Sequence, residues 1–130
     1  MKNSKDLITM ATGASPSADE IAAVNFLAKK LREPIRFIKA SRIHGSRTPD
    51  IEMNGLKWEI KTPTKAKENT LDHAMKRGLK QSKNLIFDLR KMRSTGEKAL
   101  HKLLKEFEKT KEWKRLIIIT KDEKILTHEK

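Results

Sequence analysis

The chain has 130 residues, 36% hydrophobic and 36% charged, and its 30 Lys and Arg against 17 Asp and Glu give a formal net charge of +13. That length supports one core, and that charge favours polyanionic partners: nucleic acid, an anionic membrane face or an acidic protein. The lack of cysteine excludes disulfides and thiolate metal sites. No apolar run approaches the ~20 residues of a membrane span, so no membrane partner is expected. Met1–Asp6 also lacks the apolar core of a signal peptide.

Residues 1–16 are rich in Ser, Thr, Gly and Lys around a short Leu7–Met10 patch, and read as a weakly ordered lead-in to a single domain over 17–130. Ser17-Ala18-Asp19-Glu20 is a capping box, and Ile21, Val24, Leu27, Ala28 and Leu31 recur at helical spacing behind it. The helix therefore runs from Ser17 to about Leu31, with Pro34 as its stop. Ile35–Ile38 is a short strand candidate. A loop over 40–48 follows, holding Arg42, His44, Gly45 and Arg47.

Two strands come next, Asp50–Met53 and Leu56–Lys61, joined by Asn54-Gly55. Asn-Gly is a strong two-residue hairpin signal because both residues tolerate positive φ. Thr70 opens a helix to about Lys83, and Leu85–Leu89 is a strand. Glu97–Thr110 is an amphipathic helix with Leu100, Leu103, Leu104 and Phe107 inward. Arg115–Thr120 contains an unbroken Leu116-Ile117-Ile118-Ile119 run suited to a strand buried on both faces. Lys124–Thr127 adds an edge strand. Alternating helices and strands predict an α/β (α+β) fold, a mixed central sheet flanked by helices.

The hairpin carries the chemistry. A two-residue turn sets Met53 opposite Leu56, Ile51 opposite Trp58 and Asp50 opposite Glu59. Ile51, Met53, Leu56, Trp58 and Ile60 then share one face, while Asp50, Glu52, Lys57, Glu59 and Lys61 share the other. A hairpin with one solvated face explains most of those charges. It does not explain two carboxylates directly opposed, where Cβ atoms stand only about 4.5–5.5 Å apart and like charges repel. A divalent metal resolves the conflict, because paired carboxylates are hard-oxygen ligands that leave positions for water and phosphate. Lys61 points the same way and suits orienting a water or neutralising charge on a phosphate.

Pro49-Asp50, then eight residues, then Glu59-Ile60-Lys61 resembles the signature of the PD-(D/E)XK nucleases. The resemblance implies a restriction-endonuclease-like core in α-β-β-β-α-β order, Asp50 and Glu59 as metal ligands and Lys61 as the catalytic lysine. It also implies a metal cofactor, Mg²⁺ first, with Mn²⁺ or Zn²⁺ as alternatives. An acidic residue on the first helix often joins such a site, matching Glu20, which reads equally well as a capping residue. A Gln on the following helix often borders it, matching Gln81, which reads equally well as an exposed polar residue.

More narrowly, three features are similar to the C-terminal nuclease toxin domains of contact-dependent growth inhibition. They are the Glu20 helix, the hairpin followed by Thr62-Pro63, and the segment from Lys80-Gln81-Ser82 to Asp88-Leu89-Arg90. That likeness implies a transfer-RNA endonuclease carried in a larger toxin, acting in the target cytoplasm and neutralised by an immunity protein, expected to be acidic. Arg42, Arg47, Lys65 and Lys67 flank the hairpin as candidate phosphate contacts, with Thr62 beside them. Lys76, Arg77, Lys80 and Lys83 extend a basic stripe along the second helix. His44 would suit general acid or base work in RNA cleavage, and is otherwise a plain loop histidine. Trp58 belongs to the apolar hairpin face, and the role of Trp113 is open. Two other functions fit the same residues: a DNA endonuclease of restriction or repair type, and a non-catalytic nucleic-acid-binding module.

Overall fold

A computed structural model of the protein describes residues 3–40, 48–65 and 68–130. Among these, seven strands form one mixed sheet whose spatial order is the chain order. The strands are β1 (Ile8–Met10), β2 (Ile35–Phe37), β3 (Ile51–Met53), β4 (Leu56–Lys61), β5 (Asn84–Asp88), β6 (Arg115–Ile119) and β7 (Ile125–Glu129). The helices are α1 (Ala18–Leu31), α2 (Glu68–Gln81) and α3 (Glu97–Lys109). The β2-β3-β4 and β6-β7 neighbours run antiparallel, while β1-β2 and β4-β5-β6 are parallel. Each parallel step is bridged by a helix, as parallel strands require.

Local chemistry sets the boundaries. Ser17 caps α1 through its Oγ, which accepts from the Glu20 N–H at 3.2 Å. The helix ends at Arg32, which takes a left-handed φ of 56° two residues before Pro34. Asn54 and Gly55 both have positive φ, 56° and 73°, and the turn closes β3 onto β4 with Met53 opposite Leu56 and Ile51 opposite Trp58. The structure thus has these two of the three expected hairpin pairs. β1 falls within residues 1–16, where composition alone suggests little order: three residues pair with β2 beside a 3-10 turn over Ser4–Leu7. The pairing partner Ile35–Phe37 lies far along the chain, so no local pattern announces it.

Two apolar layers sandwich the sheet. α1 lays Val24, Leu27 and Ala28 against Phe37, Ile51, Trp58, Ile86 and Ile117 on one face. α2 and α3 cover Leu85, Phe87, Leu116 and Ile118 on the other. β5 is buried along its whole length and β6 nearly so, the two-sided burial expected of the isoleucine run. Gly78 lets α2 approach closely: a Cβ there would stand 3.0 Å from Leu85 Cδ2. Trp113, whose role the sequence left open, is fully buried, with Phe107 edge-on at 5.3 Å and its ring N–H donated to the Arg115 carbonyl at 3.0 Å. Trp58 is likewise core, its ring N–H donating to the Met53 carbonyl.

Candidate active site

The candidate residues gather where β2 and β4 end and β3 begins. The antiparallel register brings these three termini to the same edge of the sheet. The last regular β3-β4 pair is Ile51 with Trp58, and Asp50 departs from the expected pairing. Its N–H donates to the Trp58 carbonyl at 3.0 Å, so Asp50 and Ile51 both oppose Trp58. This is a β-bulge, a device that bends a strand and re-aims a side chain. The Asp50 carboxylate turns in and accepts from the Ile60 N–H at 2.8 Å. Its carbonyl accepts from the Ile38 N–H at 3.0 Å, which ties the bulge to the end of β2. Simple alternation put Asp50 squarely across from Glu59; the bulge shifts it by one and anchors it by its own carboxylate.

Glu59 is only 4% exposed. Its neighbour in β5 is Leu85, and α2 packs over β4 on that side. The second strand of the hairpin therefore does not keep the solvated face that period-two alternation assigns to it. Lys61 Nζ stands 3.2 Å from Glu59 Oε2. The other carboxylate oxygen, Oε1, is buried with no hydrogen-bond partner among the described residues. Burial, and then the charge of Asp50, push the Glu59 carboxyl up to about 8, with Lys61 opposing too weakly to restore it. At neutral pH the group mostly keeps its proton, unless a cation replaces it.

Glu20 is a capping residue, as one reading had it, and it also lies beside Asp50. Its carboxylate accepts from the Ser17 hydroxyl at 2.9 Å, completing a cap, and it also lies close enough to Asp50 to feel its charge. Burial first, and Asp50 second, raise its pKa. The position of α1 is fixed by Arg90, which grips Asp88 at 2.8 and 2.9 Å and donates to the Ala22 carbonyl at 3.1 Å. Its guanidinium also lies 4.5 Å from the centre of the Phe26 ring. Sequence patterning shows an Asp-Leu-Arg triplet there but not that it pins a distant helix.

Gln81 lines a cleft of about 440 Å³ together with Glu20, Asp50, Thr48 and Pro49. Lys39 and Gly13, which motif reading passed over, line it too. Thr62 follows Lys61 directly and is half-buried, while Lys65 and Lys80 are exposed. Arg42, His44, Arg47 and Lys67 lie outside the described residues. Among the described residues, no three His, Asp or Glu side chains are already arranged as metal ligands. The acidic groups at the site are Glu59, with its orphaned buried oxygen, its neighbour Asp50, and Glu20 beside Asp50.

No curated protein matches the chain. A solved structure described as a CdiA-CT/CdiI toxin and immunity complex from Burkholderia pseudomallei has a similar fold, with a TM-score of 0.60 at 16% identity over 94% of this chain and 99% of that one. The family described as the contact-dependent growth inhibition CdiA C-terminal domain matches residues 47–125, a span that begins just before the bulge and ends in β7. The protein belongs to the CdiA C-terminal domain family of contact-dependent growth inhibition.

Proposed function

We propose that this domain is the toxin of a contact-dependent growth inhibition system and that it acts as a metal-dependent endonuclease of PD-(D/E)XK type, with transfer RNA its favoured substrate. The observation that carries the reading is Glu59: a buried carboxylate with an unsatisfied oxygen, beside Asp50 and 3.2 Å from Lys61. Leaving a buried carboxyl oxygen so poorly satisfied costs stability, and active sites are where such costs are retained. Asp50 and Glu59 would hold the cation, with Glu20 next to Asp50. A bound Mg²⁺ would supply charge neutralisation at the phosphate and a more acidic water.

The chain's own groups divide the remaining work. The bulge and the Ile60 N–H fix Asp50 in one orientation. Lys61 keeps a positive charge at the reacting edge, where it can orient the attacking water or offset charge growing on the phosphate. The +13 balance attracts the polyanion from a distance and equally suits an acidic immunity protein. Family membership supports the toxin role, and the complex described for the similar fold supports an immunity partner.

Purified transfer RNA and plasmid DNA, each incubated with Mg²⁺, test the reading. Wild type is expected to cut transfer RNA, and Asp50→Ala and Lys61→Ala to lose at least about a hundredfold in rate. Equal rates in all three, or no cleavage of any nucleic acid by wild type, overturn it. Plasmid nicking with intact RNA moves the substrate to DNA.

A further inference from the structure

The cleft beside Glu20 and Asp50 has an electrostatic problem that its two carboxylates do not solve. A phosphodiester must enter a space that Glu20 and Asp50 line, and Lys61 is not among the residues lining it. Among the described residues lining the cleft, Lys39 is the one cation. It is the second residue past β2, next to Ile38, whose N–H is tied to the Asp50 carbonyl. Lys39 makes no ion pair among the described residues.

Gly13 makes room for it there. Gly13 sits in the connection between β1 and α1 with φ +85°, a conformation that favours glycine. The Lys39 stem lies across the bare Cα: a Cβ at position 13 would stand 2.9 Å from Lys39 Cδ, 3.0 Å from Cε and 3.4 Å from Nζ. Any side chain there collides with the lysine stem, and the flexible stem is the party that moves. The glycine thus leaves room for the lysine stem to lie beside the cleft.

We infer that Lys39, seated on Gly13, is a substrate-binding residue that takes a non-bridging phosphate oxygen of a polynucleotide entering beside Asp50. The inference rests on the nuclease reading and adds a contact to it. A lysine on phosphate acts as a point charge, contributing affinity and salt dependence without base preference.

Steady-state cleavage by the full chain at several salt concentrations, on whichever nucleic acid wild type cuts, is the test. Lys39→Ala is expected to raise KM about tenfold, leave kcat within about threefold, and lower the salt slope of KM by about one. Lys39→Arg should recover most of the loss. Gly13→Ala should shift KM in the same direction, and combining it with Lys39→Ala should add little, because both remove one contact. Thermal melts identify any unfolded variant, and Lys39→Ala carries the test if Gly13→Ala fails to fold. Wild-type KM and slope in Lys39→Ala overturn the inference while the nuclease reading stands. A normal Gly13→Ala beside an impaired Lys39→Ala removes the seat but keeps the contact. A wild type that cuts nothing overturns both.

Discussion

The two halves of the sheet obey different rules. β2 and β3 alternate, buried then exposed, with α1 behind them and Arg36 and Glu52 facing outward as an opposed pair. β5 and β6 are covered by α1 on one face and by α2 and α3 on the other, and their polar residues, Asn84, Asp88 and Arg115, stand at strand ends. β4 belongs to both. At its turn end Lys57 is exposed, as in β3; at its far end Glu59 and Ile60 are both buried, as in β5. The candidate site lies on that seam. Burial by the covered half raises the pKa of Glu59, and the freedom of the open half lets β3 bulge and deliver Asp50.

Truncating the covered half should produce the largest effect. Ile118→Ala, at a position with no exposure, is expected to cost about 2–5 kcal/mol in urea denaturation. A cost under 1 kcal/mol would break the comparison, since it would mean the second face is not tightly packed.

The pH dependence of stability sharpens the seam itself. Glu59 is raised from 4.5 to about 8, so the folded protein keeps a proton that the unfolded chain releases. The associated stability is fully present below about pH 4.5 and drains away as pH rises through 8. Metal-free protein should therefore lose on the order of a few kcal/mol across that window relative to Glu59→Gln, which cannot ionise. Mg²⁺ should stabilise wild type increasingly at higher pH and affect Glu59→Gln little. Parallel urea midpoints for the two proteins from pH 5 to 9 would contradict the burial of this carboxylate.

The smallest effect belongs at the open edge. Met10 is 55% exposed at the end of β1, and Met10→Ala is expected to change stability by less than about 0.5 kcal/mol. A larger loss would mean that β1 supports the sheet more than its three residues suggest.

Much of this was legible in the chain. Ser17 and Glu20 announce a helix start because capping is satisfied within four residues. Asn54-Gly55 fixes a turn because few residue pairs accept two positive φ angles, and the turn dictates the register of Ile51, Met53, Leu56 and Trp58. The Leu116–Ile119 run suits a strand covered on both faces, and β6 is one. The trio Asp50, Glu59 and Lys61 stands out from spacing together with register.

What tertiary structure alone decided is how those residues are held. Alternation exposes Glu59, and only α2 packing over β4 buries it. Regular pairing sets Asp50 opposite Glu59, and only the bulge re-aims it onto the Ile60 N–H. Lys39 looks like any surface lysine until the connection carrying Gly13 passes beneath it. Helix caps and turns are settled by neighbours along the chain, whereas burial, charge and reach are settled by elements that meet only when the sheet is assembled.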